Sequence, residues 1–128
     1  MGLEEKRMKQ HLETEIVPNA AAEINGVFDG ETAIDIDWDT FDAKDSIQEI
    51  EHQVLGRVVE AVKTLCSDDM AKEAMKESFK SVYVKNLENK DDRLLDFADG
   101  KLTLQTTWKD FGSIFTPGDI REKIEAGL

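Results

Sequence analysis

The sequence is poor in cysteine, proline, tyrosine and histidine, and it holds no long apolar run. Its 128 residues include one Cys, two Pro, one Tyr and two His. The single thiol, Cys66, makes no internal disulfide. Small secreted domains usually carry cysteines in even sets, so a reducing, cytoplasmic setting is expected. No stretch of about 18 apolar residues occurs, which leaves nothing to cross a bilayer as a helix. The start, Met1-Gly2-Leu3-Glu4-Glu5-Lys6, lacks the apolar segment of a signal peptide. Lys6 stands where a myristoylation pattern needs Ser or Thr.

Bases are also scarce. Sixteen Lys and Arg face 28 Asp and Glu, a net charge of −12. Nucleic acid and anionic lipid are bound largely by cations that displace counterions, so neither is an expected partner. The imbalance is local: residues 1–50 hold 13 acids and 4 bases, whereas residues 101–128 hold 4 of each. The 40% apolar and 34% charged composition is that of a folded soluble domain. A 14.4 kDa chain should expose roughly 6,800 Å² when folded, enough to enclose one core and too little for two, so residues 1–128 are expected to form one domain.

The apolar spacing orders the elements. Leu12, Ile16, Ala20, Ile24 and Phe28 recur every fourth residue, which predicts a helix over 3–28, kinked at Pro18 or split there into two nearly collinear helices, and ending near Asn25-Gly26. The polar stretch before Pro18 predicts loose docking. Residues 33–38 alternate, with Ile34, Ile36 and Trp38 on one face and Asp35, Asp37 and Asp39 on the other, a half-buried strand. Ser46 to Glu49 reads as a capping box opening a long central helix to Cys66. A second helix over 69–79 follows, with Met70, Ala74, Met75 and Phe79 inward. Val82 to Leu87 reads as a strand. Asp99-Gly100 between alternating runs predicts a hairpin pairing Phe97 with Leu102 and Leu95 with Leu104. Thr116-Pro117-Gly118-Asp119 opens a last helix. The order predicts an α+β domain. Its antiparallel sheet has about four strands, one early strand and a C-terminal three-strand meander, packed on the central helix.

Chemistry-bearing patterns are few. The ladder Asp35, Asp37, Asp39, with Asp42 and Asp45 close behind, puts five acids in eleven residues. The simplest reading is a solvated strand face that resists edge pairing. The functional readings are an acidic surface for a basic protein partner, or a metal site on Asp35 and Asp37. The EF-hand spacing fails, because Thr40 or Asp42 stands at its glycine and Ser46 or Gln48 at its final Glu. His11 and His52 lack a second His at metal-ligand spacing. Asp110-Phe111-Gly112 matches a kinase triplet without the companion motifs. No P-loop, dinucleotide fingerprint, His-Glu-x-x-His or Gly-x-Ser-x-Gly occurs, and no cofactor is expected.

The apolar group Trp108, Phe111, Ile114, Phe115, Ile120, Ile124 and Leu128 either packs over the sheet and central helix or offers a surface, with Phe111, Phe115, Ile120 and Ile124 as contacts. Such a surface serves a protein partner or a second copy of the chain, as a homodimer. The sequence therefore points first to a small, acidic, non-enzymatic protein-interaction module, chaperone-like, an adaptor or an inhibitor of a basic partner. The alternatives are a metal-binding domain or metal-dependent enzyme using Asp35, Asp37 and Asp39, and a small-ligand-binding α+β domain.

Overall fold

Among the described residues, four short strands and six α-helices build a two-layer α+β structure around one contiguous core. The computed structural model describes residues 2–128, and its accessible surface is 7031 Å². Among the described residues no helix is long and apolar enough to cross a membrane.

The N-terminal helix is continuous along the chain but changes its winding. α1 (Leu3–His11) passes through a π-helical turn, Leu12–Ile16, into α2 (Val17–Phe28). The π turn lies immediately before Pro18, whose ring would press on the carbonyl of Thr14 in regular α winding. The wider turn, closed by the Val17 N–H donating to the Leu12 carbonyl, accommodates it. α2 runs past Asn25-Gly26 and ends at Asp29, which takes a left-handed conformation, φ 56°. The Asn25 side chain has another task. Its amide donates to the Thr32 carbonyl (3.0 Å) and its oxygen accepts from the Thr32 N–H (2.7 Å), fixing the turn into the sheet.

β1 (Ala33–Ile36) is followed by a 3₁₀ turn at Trp38–Thr40, so Trp38 leaves the strand two residues early. α3 (Lys44–Ile47) starts at Ala43 as N-cap, and the expected capping box at Ser46 does not form: Ser46 Oγ is buried and donates to the Ala43 carbonyl (2.9 Å). The central helix continues as a π-helical segment, Ile50–Gly56, and then α4 (Arg57–Leu65). α5 (Asp69–Ser78) is capped by Asp68. Met75 and Phe79 are buried, but Met70, expected inward, is 81% exposed.

The sheet is mixed, in the order β1-β2-β4-β3. β2 (Ser81–Asn86) runs parallel to both β1 and β4 (Lys101–Thr106), and β3 (Leu94–Ala98) forms the antiparallel hairpin with β4. The expected three-strand antiparallel meander is thus corrected: β4 inserts between β2 and β3. The hairpin register is the predicted one, Phe97 opposite Leu102 and Leu95 opposite Leu104. Asp99 (φ 53°) and Gly100 (φ 79°) supply the two left-handed residues of its turn. Two apolar rows cross all four strands, Ile34–Val82–Leu102–Phe97 and Ile36–Val84–Leu104–Leu95. They carry the helices on one face only. α6 (Pro117–Gly127) closes the far end, with a complete Thr116/Asp119 capping box, and packs on α4 and β3.

Candidate interaction surface

The other face of the sheet is open. Across it the register sets Asp35, Tyr83, Thr103 and Asp96 in one row. β1 is an edge strand, so its outer side is unpaired within the sheet. The ladder extends one residue beyond β1, where the Asp37 N–H donates to the Val84 carbonyl (2.8 Å). The Asp37 carboxylate accepts from the Tyr83 hydroxyl (3.1 Å). Burial, that hydrogen bond and the charges of Asp37 and Asp35 hold the Tyr83 phenol above its usual pKa. The Trp38 turn is anchored by Thr40, whose hydroxyl donates to the Asp37 carbonyl (2.7 Å) and accepts from the Asn86 N–H (3.0 Å). Lys9 reaches over from α1 and donates to the Trp38 carbonyl (2.7 Å).

Asp35, Asp37 and Asp39 therefore share one shallow depression of about 340 Å³ with Ile36, Trp38 and Tyr83. Asp42 and Asp45 line a separate cleft of about 370 Å³ with Asn86, Glu88 and Lys109. Among the described residues none of these five carboxylates is ion-paired. Lys44, the base nearest in sequence, turns instead to Glu4 (2.8 Å). The metal reading fares worse. Trp38 curls away, so Asp39 lies on a turn and not on the strand ladder, and among the described residues no three His, Cys, Asp or Glu side chains gather for an ion.

The C-terminal apolar group divides differently from the expected surface. Phe115, Ile120 and Ile124 are buried, at 5%, 1% and 0% exposure, and belong to the core with Trp108 and Ile114. They are corrected from partner contacts to packing residues. The Arg57 guanidinium donates to the Phe115 carbonyl (3.0 Å), and Trp108 meets the Phe115 ring edge-on. Phe111 stays out in solvent, with Arg57 5.7 Å from its ring centre, and Leu128 is exposed as well. Both histidines are exposed, His11 beside Glu15 (3.0 Å). Cys66 is buried, and burial raises its thiol pKa, so it behaves as a small apolar group.

Sequence reasoning missed Tyr83 and Trp38 as neighbours of the acidic ladder. Alternation places Tyr83 opposite in sense to Val82 and Val84, but only the parallel β1–β2 pairing brings it beside Asp35 and Asp37. The two apolar rows fill the space beneath the helices; an open groove of about 470 Å³ lies between β3 and α6, with Leu95, Phe115, Asp119 and Glu122 among its lining residues, and another lies between helices, with Ile16, Ala20, Leu55, Gly56 and Val59 among its own. The geometry defines a two-layer α+β protein with one open sheet face, acidic at its β1 edge and carrying Lys85 and Lys101 on its two middle strands. Beyond that class, no protein-family model, curated protein or solved structure matches the chain.

Proposed function

We propose that the chain is a non-enzymatic interaction module that receives a Lys- or Arg-bearing segment of a protein partner on the β1 side of its open sheet face. One observation carries this reading: five carboxylates lie between β1 and α3, Asp35, Asp37 and Asp39 at one depression and Asp42 and Asp45 at a cleft beside it, and among the described residues none forms an ion pair, with Lys9 and Lys109 the bases beside them. Uncompensated charge of one sign attracts and orients an oppositely charged partner before contact. The rings of Trp38 and Tyr83 at the same depression offer faces to a cation, although Lys101 already lies 5.9 Å from the Tyr83 ring centre. Each exposed ion pair adds only about 0–1 kcal/mol, so the carboxylates steer and register the partner, and its affinity draws on other contacts.

The test is calorimetric titration with an extended peptide of alternating Lys and Val. It is run at about 0.1 M and about 1 M salt, where the screening length falls from about 10 to about 3 Å. Binding at low salt that vanishes at high salt, and that vanishes in Asp35→Asn/Asp37→Asn/Asp39→Asn without a change in unfolding midpoint, supports the reading. No heat at low salt, or equal binding by the triple variant, overturns it.

A further inference from the structure

Two distant parts of the chain lose regular α winding at the same place. The π turn Leu12–Ile16 contacts the π-helical segment Ile50–Gly56. Pro18 accounts for the first. The second contains no proline, and seven residues is long for a winding that normally occurs as a single turn and often at functional sites. Where the two helices diverge they leave a groove of about 380 Å³. Half-buried Ile16 and Val59 give it apolar walls over a floor of buried Ala20 and Leu55, and Asn19, Glu23, Glu51 and His52 line its polar side.

Gly56 is the second oddity. Its backbone is ordinary helix, φ −59° and ψ −39°, so no left-handed conformation calls for glycine. A Cβ there would meet nothing closer than the Glu51 carbonyl at 3.4 Å, an ordinary contact. Glycine inside a helix costs up to about 1 kcal/mol against alanine. Nothing inside the chain uses the space that this glycine leaves in the groove.

We propose that this groove seats the apolar side of a short amphipathic, basic helix of a protein partner. The acidic residues argue for the basic character. Lys63 pairs with Glu23, but Glu51 has only the exposed imidazole of His52 at 3.9 Å. A partner cation beside Glu51 and an apolar side chain over Gly56 complement what the groove presents, the helix-in-groove mode of recognition. The inference rests on the proposed function for the sign of the partner's charge, and supplies apolar contact that the acidic sheet face lacks.

The test is a ¹H–¹⁵N titration of the full chain with a two-heptad peptide of Leu and Lys in helical spacing. The expected shifts centre on Ile16, Ala20, Leu55, Gly56 and Val59. Gly56→Leu, which fills the groove, should weaken binding about tenfold or more, whereas Gly56→Ala should bind nearly as the parent does. Shifts centred on Asp35–Asp39, equal binding by Gly56→Leu, or no binding would each overturn the proposal. Wild-type mapping decides the matter even where Gly56→Leu fails to fold. Concentration-dependent self-association abolished by Gly56→Leu would make a second copy the occupant and overturn it as well. Failure here with success of the Lys–Val titration would leave the acidic-face reading standing, and the reverse pattern would separate them equally well.

Discussion

Replacing Ile124 and Phe111 by alanine, one at a time, tests how the C-terminal apolar group is divided between core and surface. Ile124 is 0% exposed on the inner side of α6, between α4 and the sheet. Ile124→Ala removes three carbons from full burial, worth about 2.4 kcal/mol at about 0.8 kcal/mol per carbon. The cavity left behind brings the loss to about 3–4 kcal/mol, inside the range of about 2–5 kcal/mol for such truncations. Phe111 is 69% exposed, so about a third of its side chain is covered, chiefly by Arg57. Phe111→Ala should cost about 1 kcal/mol, cation–ring contact included. Urea unfolding followed by the fluorescence of Trp38 and Trp108 measures both, with the slope against urea required to stay constant. A loss below about 1 kcal/mol for Ile124→Ala, or equal losses for the two variants, would refute the assignment of Ile124 to the core.

Four further outcomes follow from the same structure. Gly56→Ala should raise stability by up to about 1 kcal/mol, read by urea unfolding, because its dihedrals and surroundings already suit alanine. The Tyr83 phenol titrates above its usual value of about 10. Its contribution to stability is therefore complete below about pH 10 and is lost as pH rises through the folded-state value. Asp37→Asn should shift that titration downward in alkaline ultraviolet absorbance, and an unmoved titration would deny the Asp37–Tyr83 bond. Cys66 should react with a thiol reagent slowly when native and fast in denaturant, whereas equal rates would show an accessible thiol. α1 buries none of its residues, so its amides should exchange with deuterium well before those of α2 and α4; simultaneous exchange would mean that it opens only with the whole fold.

The sequence carried local pattern well and strand pairing poorly. The hairpin was legible because a two-residue Asp99-Gly100 turn fixes the register, and any slip would turn Phe97, Leu102, Leu95 and Leu104 outward. The last helix was legible because Thr116, Pro117 and Asp119 are its capping chemistry. The position of β4 between β2 and β3 was not, because the same alternation of Val82 and Val84 suits a parallel or an antiparallel neighbour. The π-helical stretch Ile50–Gly56 was hidden too: its apolar spacing differs little from α spacing over so short a span. The acidic ladder was visible residue by residue. Its aromatic neighbours Trp38 and Tyr83 emerge only once the sheet is assembled, and the early turn at Trp38 separates Asp39 from the strand.

If the unpaired carboxylates at β1 recruit a cationic protein, as proposed, that protein should be captured through them. The most direct test uses immobilised wild-type chain beside Asp35→Asn/Asp37→Asn/Asp39→Asn, each exposed to extract of the native cells. Elution follows by raising salt from about 0.1 M to about 1 M. The expected result is a basic protein, held by the wild type, released by salt and absent from the triple variant. The same proteins on both columns, or retention indifferent to salt, would contradict it.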